Sequence, residues 1–143
     1  MERGLDPHLV QCSISFNLKK GTWRGMHYQL SPHEESKLVR CTMGAICDVI
    51  VDLRPNSPTF KQHVTVELSA KNRRILYIPG KFAHGFVTLE DNTEIFYQMS
   101  EFYAPESARG FRWNDPSFAI DLPLEISVIS ERDRNYSDFH VEA

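Results

Sequence analysis

The segment A-I-C-D-V-I-V-D-L, from Ala45 to Leu53, carries the alternation of side chains that decides the fold class. Successive side chains of a strand point to opposite faces of a sheet, so every second residue shares a face. One face of this segment is apolar and the other is mixed: Cys47, Val49, Val51 and Leu53 against Asp48, Ile50 and Asp52. The pattern predicts a strand with one side on a core and the other side polar.

Segments of similar β character recur on both sides of this strand, separated by turns rich in Gly, Pro, Asn and Asp. They are Leu9 to Phe16, Gly21 to Gln29, Lys37 to Met43, His63 to Leu68, Ile75 to Ile78, Gly85 to Leu89 and Glu94 to Ser100. The last two flank the turn Glu90 to Asn92, which predicts a hairpin. The final stretch, Ser130 to Ala143, is expected to be a short helix or coil. About eight closely spaced strands predict one all-β domain over residues 1–143, an antiparallel sandwich or barrel.

Composition narrows the classes of function. The formal net charge is -3, so the overall charge gives no attraction to nucleic acid or to an anionic membrane. The three cysteines are odd in number and form no C-x-x-C pair, which is typical of free thiols in a reducing compartment. The start M-E-R-G-L-D lacks the apolar stretch of a signal peptide, and the longest apolar run is too short to span a membrane. We therefore expect a cytoplasmic protein.

The segment G-T-W-R-G-M-H-Y-Q, from Gly21 to Gln29, contains the first candidate functional residues. It places a guanidinium (Arg24), an imidazole (His27) and a carboxamide (Gln29) on one short stretch of backbone. Such a group is costly to bury, so it is more typical of a site than of a core. A single histidine on a strand is nevertheless more often a hydrogen-bonded structural residue, and the assignment depends on residues further along the chain.

Three further polar residues fall where a barrel strand should show an apolar side chain. Lys37 begins a strand in line with Val39, Tyr97 is in line with Ile95, and His84 follows the turn P-G-K-F-A. Each has a structural alternative: a strand-end lysine in solvent, a tyrosine that serves as core bulk, and a histidine that caps a turn. Their occurrence together with the histidine of the first segment predicts a site inside the barrel.

A metal centre is a second interpretation of these residues. Metal-binding cupins use an H-x-H pair, a glutamate a few residues on and a later histidine. Here the corresponding positions are His27 and Gln29, then Glu34 or Glu35, then His84. Glutamine is a poor ligand for a borderline transition metal compared with imidazole. The sequence therefore predicts neither a metal nor any other cofactor.

Seven segments, in order, resemble one known family. They are R-G-M-H-Y-Q (Arg24 to Gln29), K-L-V-R (Lys37 to Arg40), D-V-I-V-D-L-R-P-N-S-P-T-F (Asp48 to Phe60), I-P-G-K-F-A-H-G-F (Ile78 to Phe86), F-Y-Q (Phe96 to Gln98), W-N-D-P (Trp113 to Pro116) and S-E-R-D (Ser130 to Asp133). From Val10 to Asp133 the chain closely resembles the dTDP-4-dehydrorhamnose 3,5-epimerases. The resemblance implies a cupin fold, which is an antiparallel jelly-roll barrel or double-stranded β-helix, and a homodimer.

The resemblance also implies catalytic roles for four residues. His27 resembles the general base that removes a proton next to the C4 ketone, and Asp133 resembles the partner that orients and charges it. Lys37 resembles the group that stabilises the enolate oxygen, and Tyr97 the acid that returns a proton from the opposite face. A proton next to a ketone is weakly acidic, so its removal needs a base poised near neutral pH and a donor that neutralises the enolate.

The resemblance further implies a nucleotide-sugar substrate, which five residues are expected to contact. They are Gln11, Arg24, Gln29, His84 and Tyr103. The bidentate fork of the arginine suits a pyrophosphate, and the tyrosine is expected to pack on the thymine ring. Because Arg24 and His27 would face opposite ways on a regular strand, this assignment requires a bend or bulge near Gly25.

The chain departs from the family pattern at several positions. Arg132 stands where lysine is usual, which keeps the charge, and Gln11-Cys12-Ser13 stands where the family has Q-x-N. Met1 to Pro7 is short relative to the family's N-terminal region, although Arg3-Gly4 is similar to an arginine-glycine pair found there. These departures concern nucleotide affinity, base specificity and the exchange of strands between subunits.

Residues and resemblance together predict a metal-independent epimerase that inverts C3, C5 or both of a dTDP-linked 4-keto-6-deoxy sugar. Two alternatives stay open: a non-catalytic sugar-nucleotide-binding cupin, and a metal-dependent cupin isomerase or oxygenase. The three differ in what they require. The first requires exchange of substrate hydrogens with solvent, the second requires binding without exchange, and the third requires a bound metal.

Overall fold

The computed structural model describes residues 3–141, where ten strands and one short helix are present. The strands are β1 (Gln11–Asn17), β2 (Thr22–Gln29), β3 (Lys37–Met43), β4 (Ala45–Asp52), β5 (His63–Ser69), β6 (Ile75–Ile78), β7 (Phe82–Thr88), β8 (Thr93–Met99), β9 (Ala108–Gly110) and β10 (Val128–Ile129), and the helix is α1 (Glu131–Arg134). The predicted strands are confirmed in order and type, with boundaries that differ by at most three residues.

Two sheets build the barrel. The first has the strand order β1-β8-β3-β6, and the second has the order β10-β2-β7-β4-β5, with β9 also paired to β2. The strand pairs are antiparallel, apart from β10, which runs parallel to β2. Most consecutive strands lie in different sheets, and this wrapping defines a jelly roll. The predicted antiparallel barrel of the cupin kind is therefore confirmed.

The hairpin predicted around Glu90 to Asn92 is wrong. β7 lies in the second sheet between β2 and β4, whereas β8 lies in the first sheet between β1 and β3. The turn therefore carries the chain across the barrel, and the Thr93 hydroxyl stabilises it by donating to the carbonyl of Glu90 at 2.9 Å. Turn residues specify that the chain reverses, but they do not specify which sheet the next strand joins.

β4 is buried along its whole length, so the polar side predicted for it is wrong. Val49 lies on the outer face, where it packs with Trp23 and Phe111. Ile50 lies on the opposite face, within the apolar layer between the two sheets. Asp48 is fully buried and shares the face of Ile50, because the two residues are two positions apart on one strand. This carboxylate consequently points into the barrel and needs a polar partner there.

The C-terminal third covers the outer side of the second sheet. Phe111 stacks on Phe118 with ring centroids 4.2 Å apart, and Phe139 meets both rings edge-on. Helix α1 begins after Ser130, whose hydroxyl accepts the backbone N–H of Asp133 at 3.1 Å. This cap stabilises the first turn of α1, and the carboxylate of Asp133 joins that turn to β2 by accepting the N–H of Gly25. Across residues 3–141, no helix has the length and apolar character needed to cross a membrane.

The bulge predicted near Gly25 is confirmed. The pairing of β2 with β7 changes register between Arg24 and His27. Gly25 lies within the shift and has a φ of 133°, a conformation that L side chains rarely adopt. As a result, Arg24 and His27 line the same cavity although a regular strand would point them to opposite faces.

Replacing Gly25 with alanine is expected to lower the free energy of unfolding by about 3 kcal/mol or more. The new Cβ would lie 2.6 Å from the Cα of Gly85 and 2.9 Å from the carbonyl oxygen of His84, and both are backbone atoms. Gly4→Ala is the control, because Gly4 also has a positive φ but has open space around it. Urea unfolding of both variants checks the prediction, and equal losses of stability would contradict it.

Candidate active site

Two adjoining cavities lie at one end of the barrel. The inner cavity has a volume of about 280 Å³ and is lined by Ser13, Ser15, Arg24, His27, Lys37, His84, Phe86, Tyr97, Met99 and Arg132. The outer cavity has a volume of about 270 Å³ and is lined by Gln11, Ser13, His27, Tyr28, Gln29, Glu35, Lys37, Met99, Tyr103, Ala108, Arg109, Arg132 and Tyr136. His27 and Lys37 line both, so one cleft runs from the mouth into the barrel.

His27 and Asp133 form a hydrogen-bonded pair at the junction of the two cavities. Nε2 of His27 lies 2.6 Å from Oδ1 of Asp133, although the two residues are far apart in sequence. The backbone N–H of Gly25 donates to Oδ2 of Asp133 at 3.2 Å. The carboxylate is thus held by β2 itself, and it fixes the orientation of the imidazole.

Burial and neighbouring charges decide the protonation of this pair. Burial is the main cause that lowers the pKa of His27, with Lys37 and Arg132 adding to it and Asp133 opposing it. Burial acts to raise the pKa of Asp133, but the pKa is lowered because the hydrogen bond and charge of His27, the N–H of Gly25 and the charge of Arg132 together outweigh burial. The stable state near neutral pH is therefore a carboxylate beside a neutral imidazole. Since Nε2–H donates to the carboxylate, the lone pair lies on Nδ1, which is the atom able to accept a proton.

Lys37 and Tyr97 stand on the wall opposite His27. Lys37 begins β3 and Tyr97 lies on β8, both in the four-stranded sheet, whereas His27 belongs to β2 in the other sheet. Burial raises the pKa of Tyr97, and the charge of Asp48 adds to the rise. The phenol therefore stays protonated at neutral pH and can donate a proton.

A second histidine–aspartate pair lies deeper in the barrel. Nε2 of His84 lies 2.5 Å from Oδ1 of Asp48, and both side chains are buried. The ring of His84 meets the ring of Tyr97 edge-on with centroids 6.2 Å apart. The other carboxylate oxygen of Asp48 has no hydrogen-bond partner among the described residues. Sequence reasoning named His84 but missed Asp48, because the alternation of β4 alone does not show which neighbouring strand the carboxylate faces.

The residues predicted to contact substrate are divided between the cavities. Arg24 lines the inner cavity, and its Nε donates to Oδ1 of Asn17 at 2.7 Å, which fixes the guanidinium. Gln11 and Tyr103 line the outer cavity, where the side-chain oxygen of Gln11 accepts the backbone N–H of Tyr103 at 3.4 Å. Gln29 also lines it.

The amide of Gln29 is already engaged with backbone groups. It donates to the carbonyls of His33 and Phe102 at 2.7 and 3.3 Å, and it accepts the N–H of Ala104 at 2.9 Å. These bonds join three segments at the cavity mouth, so Gln29 has a structural task besides the substrate contact predicted for it.

Two residues beside His27 were not predicted from the sequence as residues of the site. Nη2 of Arg132 lies 3.4 Å from Nε2 of His27, so its charge acts directly on the imidazole. The ring of Tyr136 meets the imidazole edge-on, with centroids 6.1 Å apart. Gly110 provides space for that ring, since a Cβ at this position would overlap it. The signal for Arg132 was its place in the S-E-R-D segment, whereas Tyr136 carries no comparable signal.

Each residue of the metal interpretation makes another interaction, and for Gln29 the partners are backbone groups. His27 pairs with Asp133 and His84 with Asp48, while Glu35 lies 3.3 Å from Lys37 and Glu34 lies 4.0 Å from Lys81. Within residues 3–141, no group of three or more His, Cys, Asp or Glu side chains is placed to hold a metal ion.

A jelly-roll barrel of the cupin kind with a polar cavity set between its sheets is typical of proteins that bind small molecules. The sequence model described as dTDP-4-dehydrorhamnose 3,5-epimerase matches residues 1–140. The chain belongs to this family, and the resemblance found from its seven segments is confirmed.

Individual relatives agree with this assignment. The dTDP-4-dehydrorhamnose 3,5-epimerase of Shigella flexneri is 47% identical over 120 residues, which cover 84% of this chain and 66% of the relative. The chain therefore spans about two thirds of the length of this curated relative.

Solved structures agree with the fold as well. The dTDP-4-dehydrorhamnose 3,5-epimerase of Bacillus anthracis, with TDP and PPi bound, superimposes with a TM-score of 0.92 at 41% identity, covering 96% of this chain and 79% of the other. A 3'-monoepimerase from Streptomyces bikiniensis, in complex with dTDP-quinovose, superimposes with a TM-score of 0.85 at 30% identity, covering 92% and 66%. The family fold thus accompanies both double and single epimerisation.

Proposed function

We propose that this protein is an epimerase of dTDP-linked 4-keto-6-deoxy sugars that acts at C3, C5 or both. The observation that carries the proposal is the placement of His27 and Tyr97 on opposite walls of one cavity that also contains the Lys37 ammonium. Inversion of a carbon needs a base on one face and an acid on the other, and this cavity offers both.

His27 is the base in this mechanism. Its neutral imidazole takes the proton from the carbon next to the C4 ketone through Nδ1, while Asp133 stabilises the imidazolium that forms. The electron pair left on carbon moves onto the ketone oxygen, and the Lys37 ammonium stabilises the resulting enolate. Tyr97 then donates its phenolic proton to the opposite face of the same carbon, which inverts the centre. The Arg24 charge opposes the rise in the pKa of Tyr97, so it favours the phenolate that remains.

The substrate class is proposed from the relatives and from the charge of the cleft. Arg24, Arg109 and Arg132 line it, and arginine forks match phosphate oxygens. Tyr103 is exposed at the mouth, where its ring offers a stacking surface for a base. We place the diphosphate near the arginines and the thymine against Tyr103, with the sugar in the inner cavity.

A deuterium-exchange assay tests the proposed function. Incubation of the protein with dTDP-4-keto-6-deoxyglucose in deuterated water is expected to place deuterium at C3, C5 or both, as followed by NMR. Label at one carbon only would assign a mono-epimerase. Binding without label would favour the non-catalytic alternative, and activity lost on removal of a stoichiometric metal would favour the metal-dependent one.

The pH profile of kcat/KM is expected to show an acidic limb with a midpoint below 6.5, the ordinary pKa of histidine. The base must be neutral, and the pKa of His27 is lowered chiefly by burial, so activity is retained as the pH falls to that lowered pKa and is lost below it. Initial rates measured from about pH 4.5 to pH 8 check this. A midpoint above 6.5 would contradict the assignment of His27 as the base.

The remaining expectations stay proposals. A homodimer is supported by the apolar side chains Ile14 and Phe16, which are exposed on the side of β1 facing away from the inner cavity. Sedimentation analysis checks this. A single domain over residues 1–143 and a cytoplasmic location stay predictions from the sequence.

A further inference from the structure

Glu35 is a carboxylate in a cleft that otherwise carries positive charge. Within residues 3–141, Lys37, Arg109 and Arg132 are the cationic residues that line the mouth, and Glu35 is the one acidic residue that lines it. The proposed substrate carries a diphosphate, so a negative side chain at this place weakens binding by repulsion. The presence of Glu35 therefore implies a function that offsets the loss of affinity.

Glu35 forms an ion pair with Lys37, the proposed catalytic lysine, and this pair indicates its function. Oε1 of Glu35 lies 3.3 Å from Nζ of Lys37, and the two side chains are only 10% and 17% exposed. Residues two apart on extended backbone share a face, which brings both side chains into the same cavity. A lysine has four rotatable bonds, and a partly buried ion pair restricts the positions of its ammonium.

The backbone that carries Glu35 is itself held in place. Between Glu35 and Lys37, the N–H of Ser36 donates to the hydroxyl of Ser100 at 2.9 Å, and the carbonyl of Ser36 accepts the N–H of Ser100 at 3.0 Å. Gly80 packs closely against Glu34, the residue that precedes Glu35. A carboxylate on so fixed a segment provides a rigid anchor for the lysine.

The neighbouring glutamate serves as a natural comparison. Glu34 points to the other side of the segment, where it lies 4.0 Å from Lys81 and lines a separate cavity. Two adjacent glutamates thus each meet one lysine, but only the pair Glu35–Lys37 lies in the proposed active site.

We propose that Glu35 is a positioning residue that holds the Lys37 ammonium where the enolate oxygen forms, at the expense of affinity for the anionic substrate. The inference rests on the proposed function and goes beyond it by assigning opposite effects of one side chain on turnover and on binding. Glu35 itself does not touch the reacting atoms.

Kinetics of Glu35→Ala and Glu35→Gln test this inference, with Glu34→Ala as the matched control. Loss of the anchor in Glu35→Ala is expected to lower kcat by about tenfold or more, since a small misplacement of a catalytic group has effects of this size. Both Glu35 variants are expected to bind dTDP more tightly than the wild type by calorimetry. Glu35→Gln is expected to recover part of kcat, because its amide oxygen still accepts a hydrogen bond from the ammonium.

The outcomes separate this inference from the function on which it rests. Wild-type protein without deuterium exchange overturns the proposed function and the inference together. Wild-type exchange with an unchanged kcat in Glu35→Ala, or with a weaker affinity for dTDP in both variants, overturns the inference alone. An equal fall of kcat in Glu34→Ala also overturns it. If Glu35→Ala fails to fold in thermal unfolding, Glu35→Gln decides through its lower kcat and tighter binding of dTDP.

Discussion

Replacing His27 with glutamine is expected to lower kcat for epimerisation by about a hundredfold to ten-thousandfold. The amide nitrogen of glutamine can still donate to Asp133, which keeps the buried carboxylate paired and the fold intact. The amide has no lone pair basic enough to take a proton from the carbon beside a ketone. Transfer of deuterium from solvent to substrate should therefore fall together with inversion, because both begin with the same removal of a proton.

The binding of dTDP separates loss of chemistry from loss of structure. Calorimetry of His27→Gln is expected to give an affinity close to that of the wild type, since the diphosphate is proposed to meet arginines rather than the imidazole. His63→Gln is the control, because His63 lies on β5 and is not among the residues that line either cavity. Exchange at the wild-type rate in His27→Gln would remove this residue from the mechanism.

The bend in β2 is a feature of the site that could be predicted from the sequence. Arg24 and His27 are an odd number of residues apart, and the requirement that both enter one cavity predicts a bulge between them. A glycine at the intervening position supplies the backbone freedom, and the register shift lies there. Local rules suffice here because the pattern, the glycine and the two side chains lie within one strand.

The surroundings of Asp48, by contrast, could not be predicted from the sequence. Its strand was predicted within one residue of the observed boundary, yet its face was assigned to the polar side of a sheet. The register of β4 against β7 brings His84 opposite Ile50 and places Asp48 beside it in the barrel. That register depends on strands that are far apart in sequence. The sheet that β8 joins also depends on such strands, which is why the predicted hairpin between β7 and β8 is wrong. Alternation identifies the two faces of a strand but does not say what covers each one.

Replacing Tyr97 with phenylalanine is expected to lower inversion by about a hundredfold or more while deuterium still enters the substrate. The change removes one hydroxyl and keeps the ring that packs edge-on against His84. Without the phenolic proton, the enolate can only regain a proton from the face where His27 stands. The imidazolium exchanges its proton with deuterated water and returns deuterium to that face, so the carbon is labelled without being inverted.

The ratio of labelled to inverted product is the quantity to measure, by NMR of the sugar after incubation in deuterated water. For the wild type the two should appear together, whereas Tyr97→Phe should show label in large excess over inversion. Tyr77→Phe is the matched control, because it removes a hydroxyl that accepts the backbone N–H of Asp6 and that lies outside both cavities. Equal loss of label and inversion in Tyr97→Phe would mean that Tyr97 acts before the enolate forms. The acid on the second face would then have to be another group of the inner cavity.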